Sequence, residues 1–413
     1  MNILFLVKFY EPFDRGGSEW STHDLAKLLI ERGHKVTIYT PNYGAKKEEI
    51  LDGIVIKRFH FFKKLKNPKS EITPWWSNNI VWFIYTTIIC TLLVKRENFD
   101  VIHAHSNEFL PATVIAGALT KTQTVATFRD YQSICSFGFC LWQRQKACDL
   151  LKYLTYEFKF FYDNYVFNKN IVKFSILYLA AIRSWLMTKI IFFFAARIEH
   201  KVAVSKQLAK IFRANGITKM MTIHNAVIVN TFSKNPKDEI VYIGKFSKGK
   251  GVDLLMDLVE EIALKFPNLN FRFIGSGVLG MKLLEKVKNQ KLESKVIFTG
   301  RVDHRLAINF AAEASLVIVP SIWPEPLPRS AIEAILAGTP VVATKVGGIE
   351  EVIKNNIYGV LVNPDKNSLK AAIIRAFEKR DTYRRNIAKD LKTLKEHFSN
   401  ESVQKYLEVY QTK

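Results

Sequence analysis

The sequence predicts an α/β protein of two domains, each built on an open parallel β-sheet with helices packed on its faces. Apolar runs at residues 2–7, 240–243 and 316–319 are each followed by a loop rich in glycine or proline and then by helical spacing. The chain has 413 residues, of which 48% are hydrophobic, so it can bury two cores of ordinary size. A polar stretch at residues 230–239 is the expected linker.

The first domain is expected to span residues 1–228. Its first strand, residues 2–7, is followed by Gly16 and Gly17, and apolar residues then recur at helical spacing as far as Gly33. A glycine pair lets backbone amides approach a ligand closely, although an ordinary tight turn would also use one. Five more strands are expected, at residues 36–39, 54–59, 100–105, 124–128 and 201–204.

The second domain is expected to span residues 229–395. Its first strand ends at Gly244, and Lys245 and Lys250 follow before the next helix, so two ammonium groups at the carboxyl edge of the sheet suit a diphosphate. Gly275 ends the next strand, and further strands are expected at residues 296–300, 316–319 and 341–343. The residues from 367 onwards look helical.

Two carboxylates stand at the two ends of one loop of this domain. Glu325 lies in the loop after the strand at 316–319, and Glu333 lies about one turn inside the helix that follows. Ligands of parallel sheets bind at such loops, and helix N-termini suit phosphate, so the pair could hold a nucleotide sugar at separate points. Taken alone, the two glutamates could equally be a loop charge and a solvated helix residue.

Composition restricts the possible partners. Sixty basic and 38 acidic residues give a formal net charge of +22, of which +14 falls in residues 1–230 and +8 in the remainder. An anionic partner surface is therefore expected, which could be nucleic acid, acidic lipid or a phosphorylated substrate. Four cysteines do not make a disulfide scaffold, and the spacing of Cys135, Cys140 and Cys148 matches no common metal site. The N-terminus is too short and too uncharged at its start for a signal peptide.

The first domain contains two unusual insertions, at about residues 57–95 and 150–197. In the first, basic and aromatic residues alternate, which suits an anionic membrane, single-stranded nucleic acid or an ordinary solvated loop. Residues 72–94 lack charge, but their dense apolar part is shorter than the ~20 residues of a membrane span, so a helix packed on the sheet is expected. Charges interrupt any span within 150–197, leaving amphipathic helices on lipid or buried helices with snorkelling lysines.

The spacing of Glu325 and Glu333 resembles the Glu-x7-Glu element of the retaining glycosyltransferases of family 4. The run Ala-x-x-Ala-Gly-Thr-Pro-Val-Val-Ala at residues 334–343 matches as well, and the remaining strand and loop segments follow the order of the family. The resemblance covers most of the chain and is poor only at about residues 135–197. It implies the GT-B fold, in which two Rossmann-like domains face across a deep cleft and a last helix, here residues 396–413, crosses back to the first domain.

The resemblance also implies roles for individual residues. Glu325 would contact the transferred sugar, Glu333 the ribose hydroxyls, and His105, which ends the Asp-Val-Ile-His-Ala-His run, the donor sugar. The implied catalytic residues are Glu325, His105, Lys245 and Lys250. The implied donor-binding residues are Gly16, Gly17, Gly244, Lys245, Lys250, Gly275, Leu327, Pro328, Arg329, Ser330 and Glu333. Arg129, Asp130 and Tyr131 would lie on the acceptor side, where Arg129 departs from the usual His-Asp pair of the family, and Lys245 stands where arginine is usual.

The expected activity is retaining, metal-independent transfer of a sugar from a UDP- or GDP-sugar to a lipid-linked or cell-surface glycan acceptor. The sequence contains no Asp-x-Asp pair for a catalytic metal, and no cofactor is expected. The expected location is cytoplasmic, peripheral on the inner face of an anionic cell membrane. A catalytically silent GT-B subunit of another transferase is the alternative, and a nucleic-acid-binding protein is disfavoured because no signature of one accompanies the charge.

Overall fold

The computed structural model describes residues 1–65, 72–138, 146–166, 169–232 and 236–412. The chain divides into two compact units, one comprising Met1–Ala226 with Ser399–Lys413 and the other Val227–Phe398. The sequence-based boundaries, after residue 228 and before residue 396, lie within three residues of these divisions. Lys66, Lys69 and Cys140 lie outside the described residues.

The first unit is built on an eight-stranded sheet in the order β3-β4-β2-β1-β5-β6-β7-β8. Its strands are β1 (Asn2–Leu6), β2 (Lys35–Asn42), β3 (Glu48–Leu51), β4 (Ile54–His60), β5 (Val101–Ala104), β6 (Gln123–Phe128), β7 (His200–Ala203) and β8 (Met220–Thr222). All neighbouring strands are parallel except β3 and β4. The order reverses between β1 and β5, so the loops that leave these two strands flank the expected binding point of such a sheet.

The described helices of this unit connect the strands or follow them. They are α1 (Gly17–Glu31), α2 (Ile80–Glu97), α3 (Leu110–Thr120), α4 (Leu150–Lys152), α5 (Lys159–Tyr165), α6 (Ile171–Arg197) and α7 (Lys206–Ala214), with a π-helical turn, Tyr153–Phe158, between α4 and α5. The C-terminal helix of the chain also belongs here: Tyr410 Oη lies 2.7 Å from Nδ1 of His103, a buried residue of β5.

Both insertions of the first unit form helices. Helix α2 begins where the Asn79 side chain accepts a hydrogen bond from Trp82 N–H, and it buries residues such as Trp82, Phe83 and Leu93. This agrees with the helix predicted to pack on the sheet. Helix α6 has 27 residues, and by length and composition it could cross a membrane. The prediction was that charges interrupt any span in 150–197, whereas this helix is long and apolar enough for one by these two criteria.

The second unit is built on a six-stranded, entirely parallel sheet in the order β11-β10-β9-β12-β13-β14. Its strands are β9 (Lys237–Ile243), β10 (Asn270–Ile274), β11 (Val296–Gly300), β12 (Ala314–Val319), β13 (Val341–Thr344) and β14 (Gly359–Val362). The order reverses between β9 and β12. The loops after these strands carry Lys245, Lys250 and Glu325, so the predicted donor residues lie where open parallel sheets usually bind ligands.

The helices of the second unit pack around a core of aliphatic and aromatic side chains. They are α8 (Val252–Met256), α9 (Val259–Lys265), α10 (Gly280–Asn289), α11 (His304–Glu313), α12 (Arg329–Leu336), α13 (Lys366–Glu378) and α14 (Arg380–Glu396). The chain then passes through a π-helical segment, His397–Glu401, into α15 (Ser402–Gln411), the C-terminal helix of the first unit.

Candidate active site

The loop from β12 to α12 is held by backbone contacts to the turn after β13. Gly348 N–H donates to the Glu325 carbonyl at 2.7 Å, and Glu325 pairs with Gly347 as an isolated parallel bridge. Gly347 has φ +66°, and a Cβ added there would lie 2.1 Å from the Glu325 carbonyl oxygen. Glycine at 347 therefore permits the close approach that sets the backbone path at Glu325.

The Glu325 carboxylate is buried and paired with a cation. Lys250 Nζ lies 2.6 Å from Oε1 and 2.8 Å from Oε2, Ser321 Oγ donates to Oε1 at 2.5 Å, and the Trp323 indole donates at 3.3 Å. A buried carboxylate needs such partners because an uncompensated charge in the protein interior is costly. An ammonium group has three donors, so Lys250 can hold Glu325 and still donate to a ligand.

The glycines of this region bring backbone segments together. Gly251 has φ +64°, and a Cβ there would lie 1.8 Å from the Pro320 carbonyl oxygen, so the loops after β9 and β12 touch. A Cβ on Gly275 would lie 1.9 Å from the Gly244 carbonyl oxygen. Gly244 and Gly275, both predicted to bind the donor, thus have a packing role whether or not a ligand is bound.

Lys245 differs from Lys250 in its surroundings. Its side chain is exposed, its carbonyl accepts a hydrogen bond from Tyr242 Oη at 2.9 Å, and no ion pair to it is found in the described part of the chain. Lys245 is therefore a solvated positive charge at the carboxyl end of β9. Lys250 forms an ion pair with the buried Glu325.

Helix α12 starts directly after the loop that carries Glu325. Leu327 is buried, Pro328 is the N-cap residue, and Arg329 and Ser330 begin the helix. The first amides of a helix have no acceptor within it, and proline contributes no capping side chain. The N-terminus of α12 thus offers donors of the kind that bind anions.

Glu333 lies one turn inside α12, where the side chains of Arg329 and His304 reach it. Arg329 Nε donates to Glu333 Oε1 at 2.5 Å, and His304 Nε2 lies 2.6 Å from the same oxygen. Burial alone would raise the pKa of Glu333, but Arg329 and His304 together hold the pKa below its usual value. Glu333 is thus an ionised, buried hydrogen-bond acceptor.

In the first unit, Gly16 and Gly17 lie between β1 and α1. Gly16 has φ +152° and ψ −143°, a region used almost only by glycine, and Gly17 is the first residue of the helix. No side chain caps this end of α1. As at α12, the start of the helix has no side-chain cap at its N-cap position, which is compatible with the predicted ligand loop.

His105 follows β5, on the other side of the same switch point. Arg129 Nη1 lies 2.8 Å from His105 Nδ1, and Thr22 Oγ1 lies 3.3 Å from that nitrogen. Burial lowers the pKa of His105 well below its usual value, and the neighbouring His103 and Arg129 add to the effect. His105 is therefore neutral near pH 7, and its buried Nε2 makes no hydrogen bond to any described residue.

The three predicted acceptor-side residues, Arg129, Asp130 and Tyr131, follow β6. Besides His105, Arg129 bonds through Nε to Asn225 Oδ1 at 3.0 Å. Asp130 Oδ1 accepts from Asn107 Nδ2 and from the Gln132 amide, both at 2.8 Å, so it fixes its own loop. Tyr131 is buried. The structure thus gives Arg129 and Asp130 supporting contacts in addition to any contact with a ligand.

Among the described residues, the predicted site residues that are in contact form two sets in the second unit and one in the first. In the second unit, Lys250 contacts Glu325 directly, whereas Glu333 is held by a separate pair of partners. In the first unit, His105 and Arg129 are in contact. Each set lies at the switch point of its own sheet.

Sequence reasoning missed several residues that complete these sets. They are Thr22, Asn225, His304, Ser321 and Trp323. Ser321 lies just beyond the end of β12 and His304 soon after β11, and polar residues after parallel strands are a usable signal. Asn225 follows β8 by three residues and carries the same signal, whereas Thr22 lies inside a helix and carries none.

Comparison with family models decides what kind of protein carries this arrangement. Residues 227–393 match the model described as glycosyl transferases group 1, and residues 15–230 match the model described as Glycosyltransferase Family 4. The chain belongs to the group 1 glycosyltransferases. The two matches meet near the division between the structural units.

Solved structures related to this glycosyltransferase share its fold. Anabaena Alr3699/HepE in complex with UDP and glucose superposes with a TM-score of 0.68 at 18% identity, covering 100% of this chain and 99% of that chain. Sucrose-phosphate synthase from Thermosynechococcus elongatus gives 0.71 at 17% identity, covering 99% and 98%. Together with the two parallel-sheet units, these neighbours confirm the predicted GT-B fold class.

Among sequence relatives, one human subunit of phosphatidylinositol N-acetylglucosaminyltransferase is 25% identical over 378 residues, which cover 89% of this glycosyltransferase and 66% of the relative. This chain therefore spans slightly less than two thirds of that protein. An uncharacterized 42.6 kDa protein in the cps region of Klebsiella pneumoniae is 26% identical, and the match covers 87% of this chain and 89% of the relative.

Proposed function

We propose that this glycosyltransferase moves a sugar from a UDP- or GDP-sugar to a lipid-linked or cell-surface glycan, with retention of configuration and without a metal. The observation that carries the donor part is the pair of buried carboxylates around one loop, Glu325 with its Lys250 partner and Glu333 with Arg329 and His304. Binding of UDP and glucose by the Anabaena neighbour supports a nucleotide sugar as donor.

Glu333 suits the ribose of the donor. Because its pKa is lowered, the carboxylate is ionised at pH 7 and accepts hydrogen bonds from hydroxyl groups. Its position one turn inside α12 places it beside the free amides at the start of that helix, which suit a phosphate. Ribose and diphosphate are adjacent in a nucleotide sugar, so neighbouring sites for the two are what the donor requires.

Lys250 and Lys245 suit the diphosphate. When the bond between the anomeric carbon and the phosphate oxygen breaks, negative charge grows on the leaving diphosphate, and nearby ammonium groups stabilise it. This is why a divalent cation is not required in the proposal. As the resemblance to family 4 implies, the leaving diphosphate then takes the acceptor's hydroxyl proton while the acceptor oxygen bonds to the anomeric carbon on the same face.

His105 suits a hydroxyl of the donor sugar. In its neutral form, Nδ1 accepts from Arg129, so the ring proton is on Nε2, and that N–H has no partner among the described residues. A buried donor without a partner is costly, and a ligand oxygen would satisfy it. Asn225 supports the arrangement by holding Arg129.

The acceptor part of the proposal rests on charge and on the relatives. The first 230 residues carry +14 of the net charge, and a lipid-borne acceptor would be met at an anionic membrane. The names of the human and Klebsiella relatives refer to phosphatidylinositol and to a cps region, which suits a lipid-linked or surface glycan. On this support we propose that the enzyme is cytoplasmic and peripheral on the inner face of the cell membrane.

A catalytically silent subunit is the second candidate, favoured by the name of the human relative, which is one subunit of a transferase. The two candidates differ in donor chemistry. A transferase hydrolyses its donor slowly when the acceptor is missing, and a silent subunit does not.

A thermal-shift screen against UDP-, GDP- and ADP-sugars tests the donor. A ligand at 100 times its Kd stabilises the native state by about 2.7 kcal/mol, which raises Tm measurably. Glu333→Gln should lose most of the shift, since the amide keeps the shape but not the charge, and EDTA should leave the shift and the turnover unchanged. A full shift in Glu333→Gln would exclude the ribose assignment, and loss of turnover with EDTA would exclude metal independence.

A further inference from the structure

Helix α6 consists of two unlike parts. From Ala181 onwards it buries residues at helical spacing, among them Met187, Ile191 and Ala195. Before Ala181 it buries none, although the sequence there is apolar: Ile171 is 77%, Ile176 62% and Leu179 67% exposed. The first part therefore leaves the packed body of the unit and presents aliphatic side chains outward, which water disfavours.

The exposed part of α6 is paired with the segment that precedes it. The ring centroids of Phe158 and Phe174 are 5.4 Å apart, those of Tyr162 and Phe174 5.1 Å, and those of Phe158 and Tyr178 5.4 Å. We call residues 150–165 and residues 171–180 together the apolar hairpin, and each of the two ranges is one of its arms. The rings of these four residues thus pair across the two arms, so the outward aliphatic groups belong to an ordered element.

Basic side chains outnumber acidic ones in and around the apolar hairpin. Residues 150–180 hold four basic and two acidic residues, and Arg183, Lys189 and Arg197 follow in the rest of α6. Lys152 and Lys159 are exposed on one arm, and Lys169 and Lys173 are exposed at the start of the other. Lysine stems can lie along apolar surface while their ammonium groups reach the headgroups, so this combination fits the boundary between headgroups and acyl chains of a bilayer.

Trp75 adds an interfacial group near the same helix. Its ring is exposed and lies 4.3 Å from the guanidinium of Arg183, which also donates to the Asn78 carbonyl at 2.7 Å. These contacts tie the segment before α2 to the middle of α6. Tryptophan beside arginine is typical of the membrane–water interface.

We propose that the apolar hairpin inserts into one leaflet of a lipid bilayer and anchors the enzyme by apolar contact, in addition to the attraction between its basic residues and anionic lipid. This deepens the membrane association in the proposed function and rests on it. A second copy of the chain is a poorer occupant, because two hairpins with the same excess of lysines repel each other.

The fold limits how deeply the hairpin inserts. The ten residues from Ile171 to Ala180 extend about 15 Å at 1.5 Å per residue, which reaches into one leaflet of a hydrocarbon core ~30 Å thick but does not cross it. The rest of α6 is packed on the unit and leads into β7, which pairs with β6 in the sheet. Spanning by the whole helix would withdraw these buried residues, so insertion from one side is the geometry that keeps the fold.

Flotation of the full-length protein with vesicles tests the proposal. The parent should float with neutral phosphatidylcholine vesicles, bind more with anionic lipid added, and keep its neutral-vesicle binding in about 0.5 M salt, because apolar contact is not screened. The variant Ile176→Gln/Leu179→Gln should lose roughly tenfold or more of the neutral-vesicle binding, on the scale of several buried CH2 groups.

The matched control is Leu264→Gln/Met281→Gln, since these residues of the second unit are 78% and 71% exposed and lie on helices outside the hairpin. It should float like the parent. Donor-induced thermal shifts measured without vesicles should be the same in all three proteins, so a failure of the donor proposal would be seen separately. The inference is overturned if the parent does not bind neutral vesicles or if the two double variants float to the same extent. It is also overturned if the hairpin substitutions dissociate a dimer instead of weakening vesicle binding.

Discussion

Arg129 Nη1 donates a hydrogen bond to His105 Nδ1 at 2.8 Å, while Arg129 Nε donates to Asn225 Oδ1 at 3.0 Å. A guanidinium can only donate, so His105 must accept at Nδ1, and its ring proton is on Nε2. Arg129, which departs from the His-Asp pair usual in family 4, thus orients His105, the histidine that the family resemblance implies. Arg129 is in this respect a positioning residue for His105.

Replacing Arg129 with methionine should free both tautomers of His105 and raise its pKa, since Arg129 helps to lower it. A hydrogen bond to a charged group contributes about 1.5–3 kcal/mol, so turnover should fall by about 10-fold to 100-fold. The acid limb of the pH–turnover profile should also move to higher pH. Asn225→Ala, which removes only the anchor of Arg129, should show the same changes to a smaller degree. An unchanged pH profile in Arg129→Met would contradict the positioning role.

The buried histidines His103 and His105 should make the first unit sensitive to acid. Burial lowers the pKa of both in the folded state. The unfolded chain therefore binds more protons below its usual histidine pKa of about 6.5, and stability falls as the pH decreases from there. Two such groups give a slope of up to about 2.7 kcal/mol per pH unit between pH 6 and 5.

Urea denaturation followed by tryptophan fluorescence measures this slope, because six of the seven tryptophans precede residue 227. His103→Gln should reduce the slope by about half. Glu333, whose pKa is also lowered, contributes in a different window: its stabilisation is present above its unfolded pKa near 4.3 and is lost only at lower pH. A stability that does not change between pH 7 and 5 would show that neither histidine is held neutral.

The two lysines after β9 should give different results when each is replaced with alanine. Lys250→Ala leaves the buried Glu325 without its cation, so the protein should lose about 3–5 kcal/mol of stability as well as turnover. Lys245→Ala removes an exposed charge and should lower turnover without changing Tm. Lys245→Arg, which restores the residue usual in the family, serves as the control and should keep full turnover. Normal turnover in a Lys245→Ala/Lys250→Ala double variant would exclude both lysines as diphosphate ligands.

The parallel strands and the position of the donor loop could be predicted from the sequence because buried strands and glycine turns leave local patterns. Strand β3 is a short edge strand with charged residues, β8 has only three residues, and β14 starts with glycine, so none carries a strong periodic signal. Contacts between residues that are far apart in the sequence could not be predicted either. His304 meets Glu333 although β11 and β12, the strands that precede them, are separated in the sheet by β10 and β9, and Asn225 meets Arg129 although β7 lies between β8 and β6.

The exposure of the first part of α6 could not be predicted from the sequence for a different reason. Its composition is that of a buried helix, and only the structure shows that the helix buries nothing before Ala181. An apolar sequence does not reveal whether its partner is the protein core or something outside the chain.

Gly347 should be intolerant of substitution because it shapes the backbone at Glu325. Its φ is +66°, and an added Cβ would lie 2.1 Å from the Glu325 carbonyl oxygen, so Gly347→Ala must shift the loop. Gly300 is a matched control: its φ is +68°, but an added Cβ there meets nothing within 4 Å. Gly300→Ala should lower the free energy of unfolding only by the backbone strain of a left-handed residue, about 1–2 kcal/mol.

Gly347→Ala should lower the free energy of unfolding by more, and turnover should fall because the Glu325 carboxylate moves away from Lys250. Thermal denaturation and donor hydrolysis measured on both variants separate strain from displacement, and equal losses in the two would show that the contact with Glu325 does not matter.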